Sequence, residues 1–201
     1  VEVLRSFHVP LRGDRDFPPA VLMIVEDIGP LVAERKRFEK FQANLINAIV
    51  ESVDSRLPRT RGQSEKISEV ASMIAQEMGE SEEMIASVAL AGRLTSLARL
   101  NLSIDLLSKT VGLTAAEQDA LRAVPAQSAA LLNKVPFEGR ILEAIRESGE
   151  TLDGTGHLGL LGDAISLEAR IIAVARRFVE LLSEYPDGKQ PALPELIRRL
   201  N

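Results

Sequence analysis

The residues best suited to chemistry lie in a glycine-rich stretch in the C-terminal third of the chain. Five glycines fall between Gly149 and Gly162. Glu150, Asp153 and His157 lie among them. Glycine lets the backbone turn tightly or approach a ligand closely, and carboxylates and imidazoles bind metals or move protons. The stretch is therefore predicted to be a binding or catalytic site, or the remnant of one.

These three polar residues also have a second interpretation. Glu150 and Asp153 are residue types that close turns by accepting hydrogen bonds from backbone N–H groups. His157 is one of two histidines in the chain, and a single imidazole does not complete a metal site. We therefore expect the two acids to shape the loop and His157 to lie exposed on it.

The stretch resembles the signature loop of the HD-GYP family, the metal-dependent cyclic-di-GMP phosphodiesterases. The family pattern reads HHExxDGxGYP and is followed by an ARIxxVAD helix. The glutamate, the aspartate and both glycines are present, and residues 169–176 read ARIIAVAR. The family's two histidines, helix aspartate, tyrosine and proline are replaced by Ser148, Gly149, Arg176, His157 and Leu158.

The resemblance continues upstream through four more motifs. The family's TxGHS is TRGQS at residues 60–64, and its LHDxGK is LTSLAR at residues 94–99. Its KPGxLTxEE connector is KTVGLTAAE at residues 109–117, and its His-Pro step is Val124-Pro125. The positions where the family keeps metal ligands are occupied here by Gln63, Thr95, Ser96, Val124, Ser148, Gly149 and Arg176.

None of these seven residues is a competent replacement for a metal ligand. An HD-type phosphodiesterase holds two or three metal ions about 3.5–4 Å apart to generate hydroxide and clamp the phosphodiester. Val124 and Gly149 have no side-chain donor atom, and the cation of Arg176 repels a divalent metal. The resemblance thus implies a degenerate domain with no metal, no cofactor and no catalytic residue. We expect side chains to fill the former metal cavity, because an empty one leaves buried polar groups unpaired.

Some basic residues lie where the family keeps positive charge near the substrate phosphates. The candidates for anion binding are Arg99, Lys109, Arg170 and Arg176. Their other use is in salt bridges, for which the nearest acids in the motifs are Glu150, Asp153 and Glu168.

Residues 1–28 contain two β-rich runs separated by Gly, Asp and Pro, a pattern typical of an antiparallel hairpin. A two-stranded hairpin is marginal alone, so it needs a partner surface. The run VEDIGPLVAERKRFEKF resembles the exit of a PAS sensor domain into a signalling helix, which implies that the chain starts inside a longer protein. The alternative is a hairpin that packs on the helical body. The predicted divisions are 1–28, a signalling and dimerisation helix over 29–56, and a helical domain over 57–201.

The predicted signalling helix carries an apolar stripe. Phe38, Phe41 and Leu45 follow the alternating spacing of three and four residues that pairs helices in a coiled coil, which favours a parallel dimer. Further on, the helix is apolar around much of its circumference, and this half is expected to enter the main core through Ile46, Ile49, Val50 and Val53.

The rest of the chain predicts an all-α body. Ser81 is a predicted helix N-cap, and Thr114 to Glu117 form a predicted capping box. The fold class is mainly α, an HD-domain-like helical bundle with an N-terminal β-hairpin and a long linker helix. The predicted helices of the body cover residues 62–78, 81–100, 105–108, 114–123, 125–133, 137–147, 166–182 and 193–200.

Composition narrows the classes of function. The 201 residues carry a net charge of −5 and no cysteine. The acidic balance argues against nonspecific nucleic-acid binding, which needs a basic face. The sequence has no apolar run of the roughly 20 residues that cross a membrane and no export signal. We expect no nucleic-acid partner, no membrane contact from this segment and a cytoplasmic location.

These observations predict a catalytically inactive HD-GYP-like signalling domain that acts through protein contacts. The expected partners are a second copy of the chain and, as the resemblance implies, a diguanylate cyclase or another signalling protein. One alternative is a sensor that binds cyclic di-GMP or another phosphate ligand without cleaving it. A second is an active metal-dependent phosphodiesterase. The candidate partner-binding loop consists of Asp153, Gly154, Gly156, His157 and Leu158.

Overall fold

The computed structural model describes residues 3–12, 18, 20–56, 61–109, 111–137, 139–183, 185 and 198. The described part is mainly helical and begins with a two-stranded antiparallel hairpin, so the predicted fold class is confirmed. The chain divides into two compact units, Val1–Ala48 and Ile49–Asn201.

The first unit opens with the hairpin. Strand β1, Leu4–Leu11, pairs with strand β2, Ala20–Asp27, in a register that places Phe7 opposite Ile24. Because side chains alternate between faces, apolar residues of both strands share the Phe7 face. Every residue of both strands is exposed. The turn between the strands lies almost entirely outside the described residues.

Helix α1, Gly29–Asp54, follows the hairpin directly. The Asp27 carboxylate accepts a hydrogen bond from the Gly29 N–H at 2.8 Å, which satisfies one of the free donors at the helix start. The predicted dimer stripe lies on the surface, since Phe38 and Phe41 are 59% and 63% exposed and Leu45 is 51% exposed. Dimerisation itself stays a prediction.

The expectation that the whole second half of α1 enters the core was wrong. Val50 and Val53 are buried, but Ile49 is 36% exposed and Ile46 is only partly covered. Each residue turns the helix by about 100°, so a single packing surface covers only positions three or four apart. The last six residues of the helix, 49–54, belong to the second unit.

The helices after α1 are α2 (Gln63–Glu77), α3 (Glu82–Leu94), α4 (Ile104–Ser108), α5 (Ala115–Arg122), α6 (Val124–Leu131), α7 (Ile141–Glu147) and α8 (Leu167–Ser183), with 3₁₀ helices at Leu97–Asn101 and Gly162–Ala164. The core of the second unit is formed by α2, α3, α7 and α8, with α6 and the first 3₁₀ helix packed against them. Its largest fully buried apolar side chains include Ile67, Leu94, Ile145 and Ile172.

Both predicted helix starts are confirmed. The Ser81 hydroxyl accepts from the Met84 N–H at 3.2 Å. Thr114 and Glu117 form the reciprocal capping box at the start of α5. These local bonds depend only on residues three positions apart, which is why the sequence reveals them.

Two predicted helix boundaries were wrong. The helix predicted over 81–100 ends at Leu94, because the chain tightens into a 3₁₀ helix in which the Arg99 N–H bonds to the Ser96 oxygen. The helix predicted over 137–147 begins only at Ile141, after a turn at residues 139–140. The helix predicted over 193–200 lies outside the described residues, apart from Arg198.

Among the described residues, no helix combines the length and the apolar character that crossing a bilayer requires.

Candidate functional site

The candidate site begins where α3 ends. Thr95, the C-cap of α3, and Ser148, the residue after α7, are almost completely buried, and their hydroxyl oxygens lie 2.9 Å apart. The Ser148 hydroxyl donates to the Ile145 carbonyl oxygen at 2.9 Å. Since a serine has one hydroxyl proton, Thr95 must be the donor in the pair. The two hydroxyls therefore satisfy each other and the backbone.

Arg176 reaches the same place from α8. Its Nη2 donates to the Ser148 carbonyl oxygen at 3.2 Å. Its Nε is inaccessible to solvent and has no acceptor among the described residues. The structure thus brings together three of the residues at the predicted former ligand positions: Thr95, Ser148 and Arg176.

Val124 and Gly149 lie where the start of α6 packs on the end of α7. A Cβ atom on Gly149 would lie 3.1 Å from Pro125 Cγ and 3.3 Å from the Arg122 oxygen, so the start of α6 packs tightly on the backbone after α7. Val124 is buried. Ser96, which follows Thr95, is also buried.

Ser128 is a residue of this cluster that the sequence analysis missed. Its hydroxyl oxygen lies 3.0 Å from the Thr95 carbonyl oxygen and 2.8 Å from the Val124 carbonyl oxygen, and it accepts from the Ala98 N–H at 2.9 Å. It is completely buried. Its signal in the sequence is a lone hydroxyl in the apolar helix VPAQSAAL, which argues for a buried hydrogen-bonding role.

Gln63 and Arg99 form a second part of the site. Arg99 Nη1 donates to Gln63 Oε1 at 3.0 Å, and Arg99 Nη2 lies 3.6 Å from a Glu180 carboxylate oxygen. Glu180 follows Arg176 by one turn of α8, so both parts of the site meet on that helix. The sequence analysis had not identified Glu180.

The glycine-rich loop is closed by Glu150. Its two carboxylate oxygens accept from the Leu158 N–H at 2.8 Å and the Leu160 N–H at 3.0 Å. A Cβ atom on Gly156 would lie 2.6 Å from the Glu150 carboxyl group, which explains the glycine at that position. Glu150 thus shapes the loop, as expected.

Asp153 also shapes the loop. Hydrogen bonds from the Thr151 hydroxyl and from the Thr155 N–H and hydroxyl hold the pKa of Asp153 at about 2, below its ordinary value of 3.8. The next residue, Gly154, has a φ of 76°, and Asp153 forms an isolated bridge with Leu161 across the loop. The side chains at its edge are exposed, Leu152 by 64% and Leu161 by 63%.

Glu147, directly before Ser148, is another buried acid whose carboxylate bonds to a backbone N–H group. It accepts from the Ser166 N–H at 3.0 Å, which fixes the start of α8 against the end of α7. Burial by itself raises the pKa of Glu147, but the bonds donated by Ser166 and Arg146 outweigh burial, so the pKa lies below its ordinary value.

The remaining basic candidates pair with acids other than those expected. Lys109 pairs with Glu117, which holds the pKa of Glu117 below its ordinary value. Arg170 pairs with Asp163 at 3.4 Å, and both side chains are well exposed. The expected salt-bridge acids Glu150 and Asp153 instead bond to nearby N–H and hydroxyl groups of the loop. Lys109 and Glu117 are the first and last residues of the connector motif, and Arg170 and Asp163 are seven residues apart, so both ion pairs join residues near each other in the chain.

The residues at the former ligand positions do not fit a pair of divalent cations. The two central hydroxyls are bonded to each other, the Gln63 amide oxygen accepts from Arg99, and Arg176 brings a positive charge. Hard divalent cations prefer carboxylates and imidazoles. Within the described residues, no three His, Cys, Asp or Glu side chains form a group that could hold a metal ion.

Comparison with known proteins agrees with this arrangement of helices. A family model described as HD domain matches residues 47–200, about three quarters of the chain. The chain belongs to the HD domain family. The matched region contains every residue of the candidate site.

Several curated relatives of this HD domain carry names of cyclic-dinucleotide enzymes. The chain is 31% identical over 161 residues to the cyclic di-GMP phosphodiesterase response regulator RpfG of Xanthomonas campestris pv. campestris, covering 78% of this chain and 42% of that protein. It is 30% identical over 164 residues to the 3'3'-cGAMP-specific phosphodiesterase 3 of Vibrio cholerae, covering 81% of this chain and 35% of that protein. The chain thus spans less than half the length of these relatives.

The buried hydroxyl pair gives a first prediction. Ser148→Ala leaves the Thr95 hydroxyl buried without its acceptor, and we expect the free energy of unfolding to fall by about 1–3 kcal/mol in urea titrations. Adding Thr95→Val should recover part of this loss. The control is Ser72→Ala, which removes a hydroxyl bonded within its own helix and should change stability by about 0.5 kcal/mol or less. Strictly additive effects of the two site variants would contradict the pairing.

The Asp153 contacts give a second prediction, which concerns pH. Because folding lowers the pKa of Asp153, its contribution to stability is complete above the unfolded value near 3.8 and is lost as the pH falls towards about 2. Carboxyl-carbon NMR should give a midpoint near 2 in the folded chain. Thr155→Ala should raise that midpoint, while the remote variant Ser103→Ala leaves it in place. A midpoint that Thr155→Ala leaves unchanged would show that the Thr155 hydroxyl does not lower the pKa of Asp153.

Proposed function

We propose that this HD domain is a catalytically silent signalling module that acts through protein contacts. The observation that carries the proposal is the bonding at the former ligand positions. Thr95 and Ser148 bond to each other, Gln63 bonds to Arg99, and the Arg176 guanidinium bonds to the backbone of Ser148. The polar groups at these positions therefore bond to one another and to the backbone.

The chemistry of those groups supports the proposal. Cleavage of a phosphodiester by the HD mechanism needs metal-bound hydroxide and cations that stabilise the developing negative charge. Arg176 is a cation that can stabilise charge, but it cannot generate a nucleophile, because its guanidinium stays protonated. The hydroxyls of Thr95 and Ser148 bond to each other and to the Ile145 carbonyl oxygen, and no imidazole within the second unit's described residues bonds to either of them.

The first unit supports a second copy of the chain as partner. None of its described residues is buried, although the hairpin and α1 expose many large apolar side chains. A polypeptide of this size without a core is not stable by itself. The stripe of Phe38, Phe41 and Leu45 has the spacing by which a helix pairs with its own copy. The proposed interface is therefore a homodimer through unit Val1–Ala48.

The glycine-rich loop is the proposed surface for a different partner. Glu150 and Asp153 hold its backbone, so its exposed leucines are presented without a large loss of entropy on binding. Rigid apolar side chains on an exposed loop are typical of protein contact sites. By family resemblance, the proposed partner is a diguanylate cyclase or another signalling protein.

One observation favours a second candidate function, a sensor that binds a phosphate ligand without cleaving it. Arg176 is partly buried, and no carboxylate of the described residues lies within 4.0 Å of its guanidinium nitrogens. A buried guanidinium N–H without an acceptor favours binding of an oxyanion. Of the other basic candidates, Lys109 and Arg170 are paired with acids.

Metal analysis and hydrolysis test the main proposal. We expect purified protein to hold no stoichiometric iron or manganese and to show no turnover of cyclic di-GMP, 3'3'-cGAMP or a generic phosphodiester when these metals are added. Stoichiometric metal together with turnover would overturn the proposal. Calorimetric titration with cyclic di-GMP decides the second candidate, which requires binding that disappears in Arg176→Met.

The dimer has its own test. Sedimentation should show a dimer that Phe38→Glu or Phe41→Glu converts to a monomer, because a charge at either position cannot be buried between two helices. The matched control is Met73→Glu, a substitution at a 54% exposed apolar residue of α2 that should leave the dimer intact. A chain that is monomeric before any substitution would disprove this interface.

A further inference from the structure

We infer that the C-terminal end of α1 sets the conformation of the candidate site through Asp54 and Arg56. This inference deepens the proposed function and rests on it, because it assumes that α1 receives the signal. Neither residue belongs to the former ligand positions. Both lie at the end of the helix whose N-terminal part belongs to the first unit.

Asp54, the last residue of α1, accepts a hydrogen bond from the first turn of helix α2 and so caps that helix. Its Oδ2 accepts from the Ser64 N–H at 3.0 Å, and its Oδ1 accepts from the Ser64 hydroxyl at 2.7 Å. The residue at the N-cap position of α2 itself is Gly62, which makes no side-chain cap. Both Asp54 and Ser64 are buried. The carboxylate is also placed where the helix dipole favours negative charge.

Arg56 makes the second connection. Its Nη1 donates to the carbonyl oxygen of Arg99 in the 3₁₀ helix after α3. The Arg99 side chain in turn bonds to Gln63, the first residue of α2, and pairs with Glu180 of α8. The end of α1 thus contacts both α2 and the 3₁₀ helix at the point where those two elements meet each other in the candidate site.

In this inference the first turn of α2 has two states, one capped by Asp54 and one frayed. While the end of α1 is in place, Asp54 caps the turn, and Gln63 is held where Arg99 can bond to it. When Asp54 moves away, the Ser64 N–H and the Ser64 hydroxyl lose their acceptor, and the first turn of α2 frays. Gln63 is the residue released, so Arg99 loses one of its partners. A signal in α1 therefore reaches the site through a helix cap.

Small movements of α1 are sufficient to break the cap. The rise of a helix is about 1.5 Å per residue, while a hydrogen bond is lost when its length grows from about 3.0 Å beyond about 3.5 Å. A shift by one residue along the axis exceeds that tolerance. The cap therefore responds to displacements of the size that dimeric helices undergo in switching proteins.

The test is a double-mutant cycle read by amide hydrogen exchange. Phe41→Glu perturbs the apolar face of α1 far from the site. We expect it to speed exchange at the Ser64 and Lys66 amides by about two- to thirtyfold, the factor that corresponds to a lost helix cap. In an Asp54→Ala background these amides already exchange fast, and Phe41→Glu should add less than about twofold.

Glu51→Ala is the matched control background. Glu51 is an exposed acid one turn before Asp54 on the same helix. In this background the response to Phe41→Glu should equal that of the unaltered chain. If Asp54→Ala does not fold, Asp54→Asn replaces it, since the amide keeps one acceptor oxygen and loses the other. A purely structural cap predicts additive effects, so only the loss of response in the Asp54 background supports coupling.

Two results would overturn the inference. The first is an equal response to Phe41→Glu in the Asp54 and Glu51 backgrounds. The second is no response at Ser64 in the unaltered chain. Sedimentation of the same samples tests the dimer interface separately. A response without dissociation supports the coupling and argues against a dimer interface at Phe41, whereas dissociation without a response supports that interface and overturns the coupling.

Discussion

The buried hydrogen bond between Thr95 and Ser148 is the constraint on which the candidate site depends. It joins the end of α3 to the end of α7, and the carbonyl oxygen of Ser148 accepts from Arg176 of α8. At this point the three helices are joined by two neutral hydroxyls and one guanidinium. Buried polar groups are stable when they form hydrogen bonds, because unpaired ones cost free energy. This requirement explains why serine and threonine bond to each other at two positions where the resembled family has histidines.

The shape of the glycine-rich loop has a structural cause within the loop itself. Glu150 bonds to two backbone N–H groups across the loop, and Gly156 leaves the space that this contact needs. Glu147 accepts a hydrogen bond in the same way from the backbone at the start of α8. These acids therefore fix the backbone of the loop and of its connection to α8. Leu152 and Leu161 remain exposed at the edge of the loop.

The two compact units differ in how they obtain stability. The unit Ile49–Asn201 has a core of helices, whereas the described residues of Val1–Ala48 include none that is buried. Helix α1 runs through both as one element. In our proposal the first unit gains stability from a second copy of the chain, and the continuous helix α1 carries the effect of that binding to its own last turn. There Asp54 completes α2. In this proposal the dimer and the candidate site both depend on the position of α1.

The sequence by itself determined the local secondary-structure elements and the types of side chain at the motif positions. Residues near each other in the chain predict the helix starts at Ser81 and Thr114 and the N-terminal hairpin. They also show that the motif positions contain no histidine where the resembled family has one. The tertiary structure decided which groups pair. In the tertiary structure Arg99 bonds to Gln63 and pairs with Glu180, and Ile49 is exposed. Ser128 and Asp54, which belong to no motif, bond to backbone N–H groups at and near the site. The physical reason is that hydrogen bonds and burial depend on distances between residues far apart in sequence, and spacing along the chain does not contain them.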